Sequence, residues 1–219
     1  HTRPTSVMYP GGRIVRYEYD SGADDNLSRI SYLADDASGS VGTHLAEYSY
    51  LGLGMVVKVD YPEPNLVMDL ATGSGLDPYT GLDRFDRVVD LRWIGASSDA
   101  VRIKHGYDRA SNRLWREDVV AKSQSTPVYL DEYYTYDGMY QLQTFDRGQL
   151  NGTYTGISGT PTREEDWTLD ALGNWDGYVQ KAAGTTSLDQ ARTVNLANEI
   201  TGITKTVGPA WPTPTYDRN

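Results

Sequence analysis

The chain has 219 residues, 30 acidic against 20 basic, for a formal net charge of -10, and it contains no cysteine. A field of that sign repels nucleic acid and anionic lipid, and no local basic patch offsets it. No run approaches the roughly 20 apolar residues that span a bilayer as a helix. Lack of cysteine excludes disulfide staples and thiolate metal sites while leaving the compartment open.

In chain order, the sequence begins at His1 without a charged-then-apolar leader, and the expectation is a processed product or a piece of something longer. Residues 13–19 alternate with a period of two and are rich in β-branched and aromatic side chains, which predicts a strand running into Tyr19-Asp20. Asp20, Asp24 and Asn26 then place oxygen ligands at alternate positions. That has the look of a calcium loop, but the distal glutamate is missing, so an ordinary turn is expected. Asn26-Leu27-Ser28 and, later, Asn151-Gly152-Thr153 fit the N-glycan acceptor pattern at chance level. Residues 55–61 and 87–93 give two more strands bounded by Gly, Pro, Asn or Asp. Tyr107-Asp108 opens a turn through Asn112, with a returning strand from Arg113 to Arg116. Tyr136-Asp137 opens another, and Leu169-Asp170 a third, through Asn174 to Trp175. The best helical candidate, 187–197, is short and interrupted by Thr193-Val194-Asn195. With Gly or Pro recurring every 8 to 15 residues or so, the chain is read as all-β. Tyr216-Asp217 begins a signature whose returning strand does not follow. The preferred expectation is a fragment of a longer array, the alternative a strand supplied by the next protomer.

The returning Tyr-Asp pair has a physical meaning. An aspartate at the end of a strand accepts amide hydrogens from the turn two residues on, and a following Gly or Asn takes the left-handed conformation that closes a hairpin. Ordering a ten-residue hairpin costs on the order of 10 to 20 kcal/mol of backbone entropy, against roughly 5 kcal/mol gross for burying one tyrosine. A lone hairpin therefore does not stand. A series of about seven units at a period of roughly 30 residues, spanning 1–219 as a single array, shares one apolar cover.

These units resemble the YD-repeat or RHS-repeat family, in which Tyr-Asp-x-x-Gly-Arg/Asn-Leu segments recur. That family includes bacterial surface and polymorphic-toxin proteins, the shell subunits of insecticidal toxin complexes and the extracellular domains of teneurins. Tyr19-Asp20, Tyr107-Asp108, Tyr136-Asp137, Leu169-Asp170 and Tyr216-Asp217 match the signature most directly, and 81–88 looks like a further copy with Phe85-Asp86 in the signature place. The segment from Tyr136 to Trp175 is especially similar to large RHS-repeat proteins of environmental bacteria such as planctomycetes. Departures are Tyr50-Leu51, where the aspartate is missing, and the Gly-, Thr- and Ser-rich stretch 153–162. The resemblance implies serial antiparallel β-hairpins wound as a spiral sheet into a barrel or shell segment. Leu76-Asp77-Pro78-Tyr79-Thr80-Gly81-Leu82 is similar to a phrase that closes such arrays beside a self-cleavage site. Lying mid-chain, it reads here as a turn.

No catalytic constellation emerges. There is no Gly-x-Ser-x-Gly elbow; His44 and His105 read as strand histidines; and the pairs Asp24-Asp25, Asp35-Asp36 and Glu164-Glu165-Asp166 read as solvated charge, since neighbours on a strand point to opposite faces. No cofactor is called for. The leading expectation is a non-enzymatic structural scaffold segment of a large secreted or cell-surface repeat protein, whose partners are neighbouring repeats of the same or an adjacent chain. Alternatives are part of a shell around a polypeptide cargo, a self-assembling extracellular filament subunit, or an adhesion module for protein or cell-surface glycan. In the last of these, Trp93, Trp115, Trp167 and Trp175 would stack on ligand; packing is the simpler role for those rings.

Overall fold

The computed structural model describes residues 3–19, 29–52, 54–71 and 78–217. The strands form one sheet in which spatial order equals sequence order from first to last. The all-β expectation is met. The chain divides into two compact units, His1–Lys104 and His105–Asn219, with the strand Asp99–Tyr107 (β8) carrying the division.

The first unit contains Ser6–Met8 (β1), Ile14–Tyr19 (β2), Ile30–Ala37 (β3), Ser40–Leu51 (β4), Met55–Tyr61 (β5), Leu66–Asp69 (β6) and Asp90–Ile94 (β7), followed by most of β8. Valines, isoleucines and tyrosines at alternate positions explain the strands, because one side of each must be covered. Val57, Leu70 and Leu82 form a buried cluster, flanked by Leu51, Met55, Met68, Tyr79, Val88 and Leu91. Gly81 permits this crossing: its amide donates to Leu70 O at 3.0 Å, and a Cβ there would lie 2.5 Å from that same oxygen. Register between β7 and β8 is pinned by Arg92–Asp99 and Arg102–Asp90, both at 2.7 Å.

The second unit runs from the end of β8 through Arg113–Asp118 (β9), a four-residue helix Val119–Lys122 (α1), Asp131–Tyr136 (β10), Leu142–Gly148 (β11), Arg163–Leu169 (β12), Trp175–Ala182 (β13), Thr185–Val194 (β14) and Ile200–Val207 (β15). β10 to β15 pair successively and antiparallel. Trp167 pairs with Tyr178 and Tyr178 with Gln190, so one row of the sheet reads Trp, Tyr, Gln across three strands.

One expected element is corrected, and the best helical candidate of the all-β reading is a strand. The 187–197 stretch is not helical: Thr185–Val194 is a strand, and Asn195 starts its closing turn. Its apparent helical pattern, Leu188 to Ala191, is half of a two-sided strand whose inward residues Leu188 and Gln190 are buried. The strand expected over 87–93 starts only at Asp90, because Arg87 closes a turn and Val88 makes an isolated bridge to Leu82. The helix α1, capped by the Asp118 side chain accepting from the Ala121 amide, was not foreshadowed.

Candidate functional site

The repeated feature is a five-residue turn. In the turn from Asp137 to Gln141, Asp137 Oδ1 accepts from the Met139 and Gln141 amides at 2.8 and 2.9 Å. The Asp137 amide donates to Gln141 O, the Tyr140 amide to Asp137 O, and Tyr140 sits at φ 64°. This is a type I turn plus a left-handed residue, a loop that suits the twist of a hairpin. The same set recurs at Asp170, with Leu172 and Asn174 donating and Gly173 at φ 85°. At Asp108, Asn112 donates and Ser111 is at φ 71°.

The left-handed position is thus the fourth residue whatever its type: in the Asp170 turn it is Gly173, as the sequence reading expects, whereas Ser111 and Tyr140 take it in the other two. Asn112 and Asn174 occupy the fifth position, where each Nδ2 donates to its aspartate's Oδ2 at 2.8 Å. A non-glycine residue pays roughly 1–2 kcal/mol to sit left-handed, and the carboxylate's accepted bonds offset that.

This geometry relocates one signature and adds two. In 81–88 the acceptor is Asp83, taking the Phe85 and Arg87 amides, while Asp86 is the left-handed residue at φ 58°. Leu82-Asp83, not Phe85-Asp86, therefore stands in the signature place, as Leu169-Asp170 does, and Phe85 is 59% exposed at the tip. Asn195 builds the same turn with its amide oxygen, accepting from Ala197 and Glu199 with Asn198 at φ 60°. Asn151 builds a variant with Tyr154 at φ 57°, which accounts for the irregular stretch after it. The Asn151 side chain is fully engaged in its turn, with Nδ2 donating to Thr155.

The tyrosine of the pair acts at longer range. Tyr136 Oη donates to Arg113 O at 2.9 Å, and Arg113 is the first residue after the preceding turn. Tyr216 Oη accepts from the Ile200 amide at 2.8 Å, again the first residue after a preceding turn. Tyr50 reaches Ile30 O and Tyr19 reaches Pro4 O. Aspartate closes its own hairpin, and tyrosine fastens that hairpin to the one before. Tyr107 ends β8 in the same relation to Asp108. Asp20, Asp24 and Asn26, Asn26-Leu27-Ser28, and Leu76 and Asp77 lie outside the described residues.

Electrostatics follow these contacts. The Asn174 side chain and amide, then Leu172 and Gly173, hold the Asp170 carboxyl below its usual range. At Asp83, burial works against ionisation, but the Arg87 side chain and the turn amides outweigh it and the pKa is again lowered. The second unit buries a polar cluster as well as Leu150, Tyr178 and Leu188. Asp131 accepts from the Asp118 and Leu150 amides, Glu117 meets Lys122, and Glu132 takes Tyr134 and, at 2.7 Å, Arg147. Burial, then the bond to Glu132, pushes the Tyr134 hydroxyl up to about 12. Burial raises Asp146 too, assisted by the charges of Glu164 and Asp166. Among the described residues no cluster of three or more His, Asp or Glu is placed to hold a metal, and no helix is long and apolar enough to cross a membrane.

The tryptophans divide. Trp93 stacks on Tyr61. Trp115 lies on Gly106, where a Cβ would come within 2.0 Å of its Nε1, and against Tyr154, centroids 4.4 Å apart. Trp167 packs on Trp175 and Tyr178. Trp175 is 38% exposed and lies under the Arg192 guanidinium.

A serial-hairpin sheet closed by such turns is the architecture that the RHS-repeat resemblance implies. The chain is similar to the crystal structures of TcdB2-TccC3-TEV (15% identity, 89% of this chain and 9% of that one, TM-score 0.60) and TcdB2-TccC3-Cdc42 (15%, 86% and 9%, 0.58). It is also similar to that of TcdB2-TccC3 (13%, 91% and 12%, 0.55). At these identities the likeness is one of fold, and the chain spans 9 to 12% of those chains. No family model and no curated protein sequence matches it.

Proposed function

We propose that this chain is a structural scaffold segment of a large secreted or cell-surface YD/RHS-repeat protein, working through its sheet and not through catalysis. The observation that supports the reading most is the division of labour in the Tyr-Asp pair. Side chains that a catalytic site would use, Asp83, Asp108, Asp137 and Asp170, are committed to turn amides, and tyrosine hydroxyls to backbone fastening. Such commitment maintains shape. Electron microscopy of the purified native protein tests it, with immunodetection of the protein in medium or on cells. An assembled sheet-built body outside the cell is expected; a small intracellular monomer with turnover of a substrate would overturn the reading.

Fold similarity to TcdB2-TccC3 favours a second reading, a wall segment of a shell around a polypeptide. Protease treatment of the native protein, followed by mass spectrometry, should then reveal a protected polypeptide that becomes digestible on denaturation. Its absence would count against a shell.

A further inference from the structure

Arg192 is unlike most of the strand arginines, sharing only with Arg113 the lack of an ion pair among the described residues. Arg16, Arg92, Arg102, Arg147 and Arg163 each face a carboxylate, whereas Arg192 makes no ion pair among the described residues. Among the described residues its one side-chain hydrogen bond is a long 3.4 Å contact to Gln190 Oε1, and its Nε is buried without an acceptor. Gln190 is 2% exposed, and its Nε2 also lacks an acceptor. Two adjacent buried donors and a positive charge are thus left wanting oxygen, which is costly in a protein interior.

The guanidinium carbon lies 4.5 Å from the Trp175 ring centre and 5.7 Å from that of Trp211. Beside it opens a cleft of about 270 Å³, lined by Asn174, Trp175, Arg192, Asn198, Ile200 and Tyr216 among others. Trp211 and Tyr216 are 44% and 48% exposed. Aromatic surface next to an arginine fork recognises a sugar ring that carries a carboxylate, the fork through charge-assisted bonds and the aromatic rings through contact with the apolar C–H face of the chair. The cleft falls below the roughly 300 Å³ at which drug-sized sites begin, so it has room for one sugar ring and not for a folded peptide.

We infer that Arg192, with Trp175 and Tyr216, forms a binding site for the carboxylate of an acidic sugar. The proposal is independent of whether the chain is a scaffold or a shell wall. In a chain of net charge -10, it also explains why an unpaired arginine is retained at an aromatic cleft.

The test titrates the folded chain with glucuronate, glucose and acetate, read by tryptophan emission and by ligand-detected NMR. Glucuronate should saturate in the millimolar range, with glucose and acetate about tenfold weaker or more. Arg192→Gln should reduce glucuronate to the level of glucose, and Arg192→Lys should weaken it while leaving charge in place. Tyr216→Leu, a cleft residue outside the sheet, keeps the test falsifiable if the arginine variants do not fold: it should weaken glucuronate and leave acetate unchanged. No saturable response to glucuronate, glucose or acetate matching it, or glucuronate binding unaffected in the folded variants, would each overturn the site.

Discussion

Gly106→Ala decides whether Trp115 is packing or a free stacking surface. A Cβ at residue 106 would fall 2.0, 2.2 and 2.8 Å from Nε1, Cε2 and Cδ1 of the indole. Carbon contacts are comfortable at about 3.5 Å or more, so the ring must retreat by roughly 1.5 Å, and Tyr154 lies on it at 4.4 Å between centroids. Overpacking of that kind costs about 1 to 3 kcal/mol, and full expulsion of the indole about 5 kcal/mol of lost burial as an upper bound. Relief of the glycine penalty returns about 0.5 to 1 kcal/mol. With a retreat of that size at the top of the overpacking range the net loss is about 2 kcal/mol, and with full expulsion about 4 kcal/mol, a fall in Tm of roughly 4 to 16 °C for a chain of this size. Thermal unfolding followed by circular dichroism measures it. In a Trp115→Leu background the same Gly106→Ala change should be neutral or mildly stabilising, giving a coupling above about 1.5 kcal/mol in the double-mutant cycle. An unchanged or higher Tm in the otherwise wild-type chain would show that the indole does not rest on residue 106.

Asn195→Ala should lower stability by about 1 to 2 kcal/mol in denaturant titration, through loss of two accepted amide bonds, while Asn195→Asp stays within about 0.5 kcal/mol. Tyr136→Phe, which removes only the bond to Arg113 O, should cost about 0.5 to 1.5 kcal/mol in the same titration. Asp83 and Asp170 have lowered folded-state pKa values. Their stabilisation is therefore present above the unfolded carboxylate range near 4 and fades as pH falls through the folded values, and a Tm-versus-pH series should show that acid loss diminished in Asp170→Ala. Asp146 has the opposite sign. Its raised folded-state pKa means stability lost as pH rises above about 4, so Asp146→Asn should raise Tm at pH 7 and have no effect well below pH 4.

Much of this fold is legible from local pattern. The strands over 13–19 and 55–61 emerge nearly to the residue as β2 and β5, since period-two alternation and hairpin pairing between sequence neighbours are both local. The turns at Asp108, Asp137 and Asp170 are legible because the acceptor, its donors and the left-handed residue lie within five positions. Phe85-Asp86 misleads because the left-handed site tolerates serine, tyrosine or aspartate, so an aromatic-Asp pair there imitates the signature. Asn195 is missed because asparagine replaces the expected carboxylate and Leu196-Ala197 reads as helix. The tyrosine fastening and the Arg192 cleft join residues 15 to 24 positions apart, and no spacing rule announces them. The buried cluster of Glu117, Asp131 and Glu132 escapes for a related reason: acidic residues read as solvated until their backbone donors are in view.

Because every strand touches only its chain neighbours, tension applied to the two ends would meet the sheet as a zipper rather than as a block. Hairpins would peel away singly from the extremities, some releases bounded by a tyrosine clasp giving way at Tyr19, Tyr50, Tyr136 or Tyr216, while the interior stayed folded. A sheet built on this plan yields by small increments and spares its middle, a mechanical character that compact sandwiches, with their shear-loaded termini, do not share.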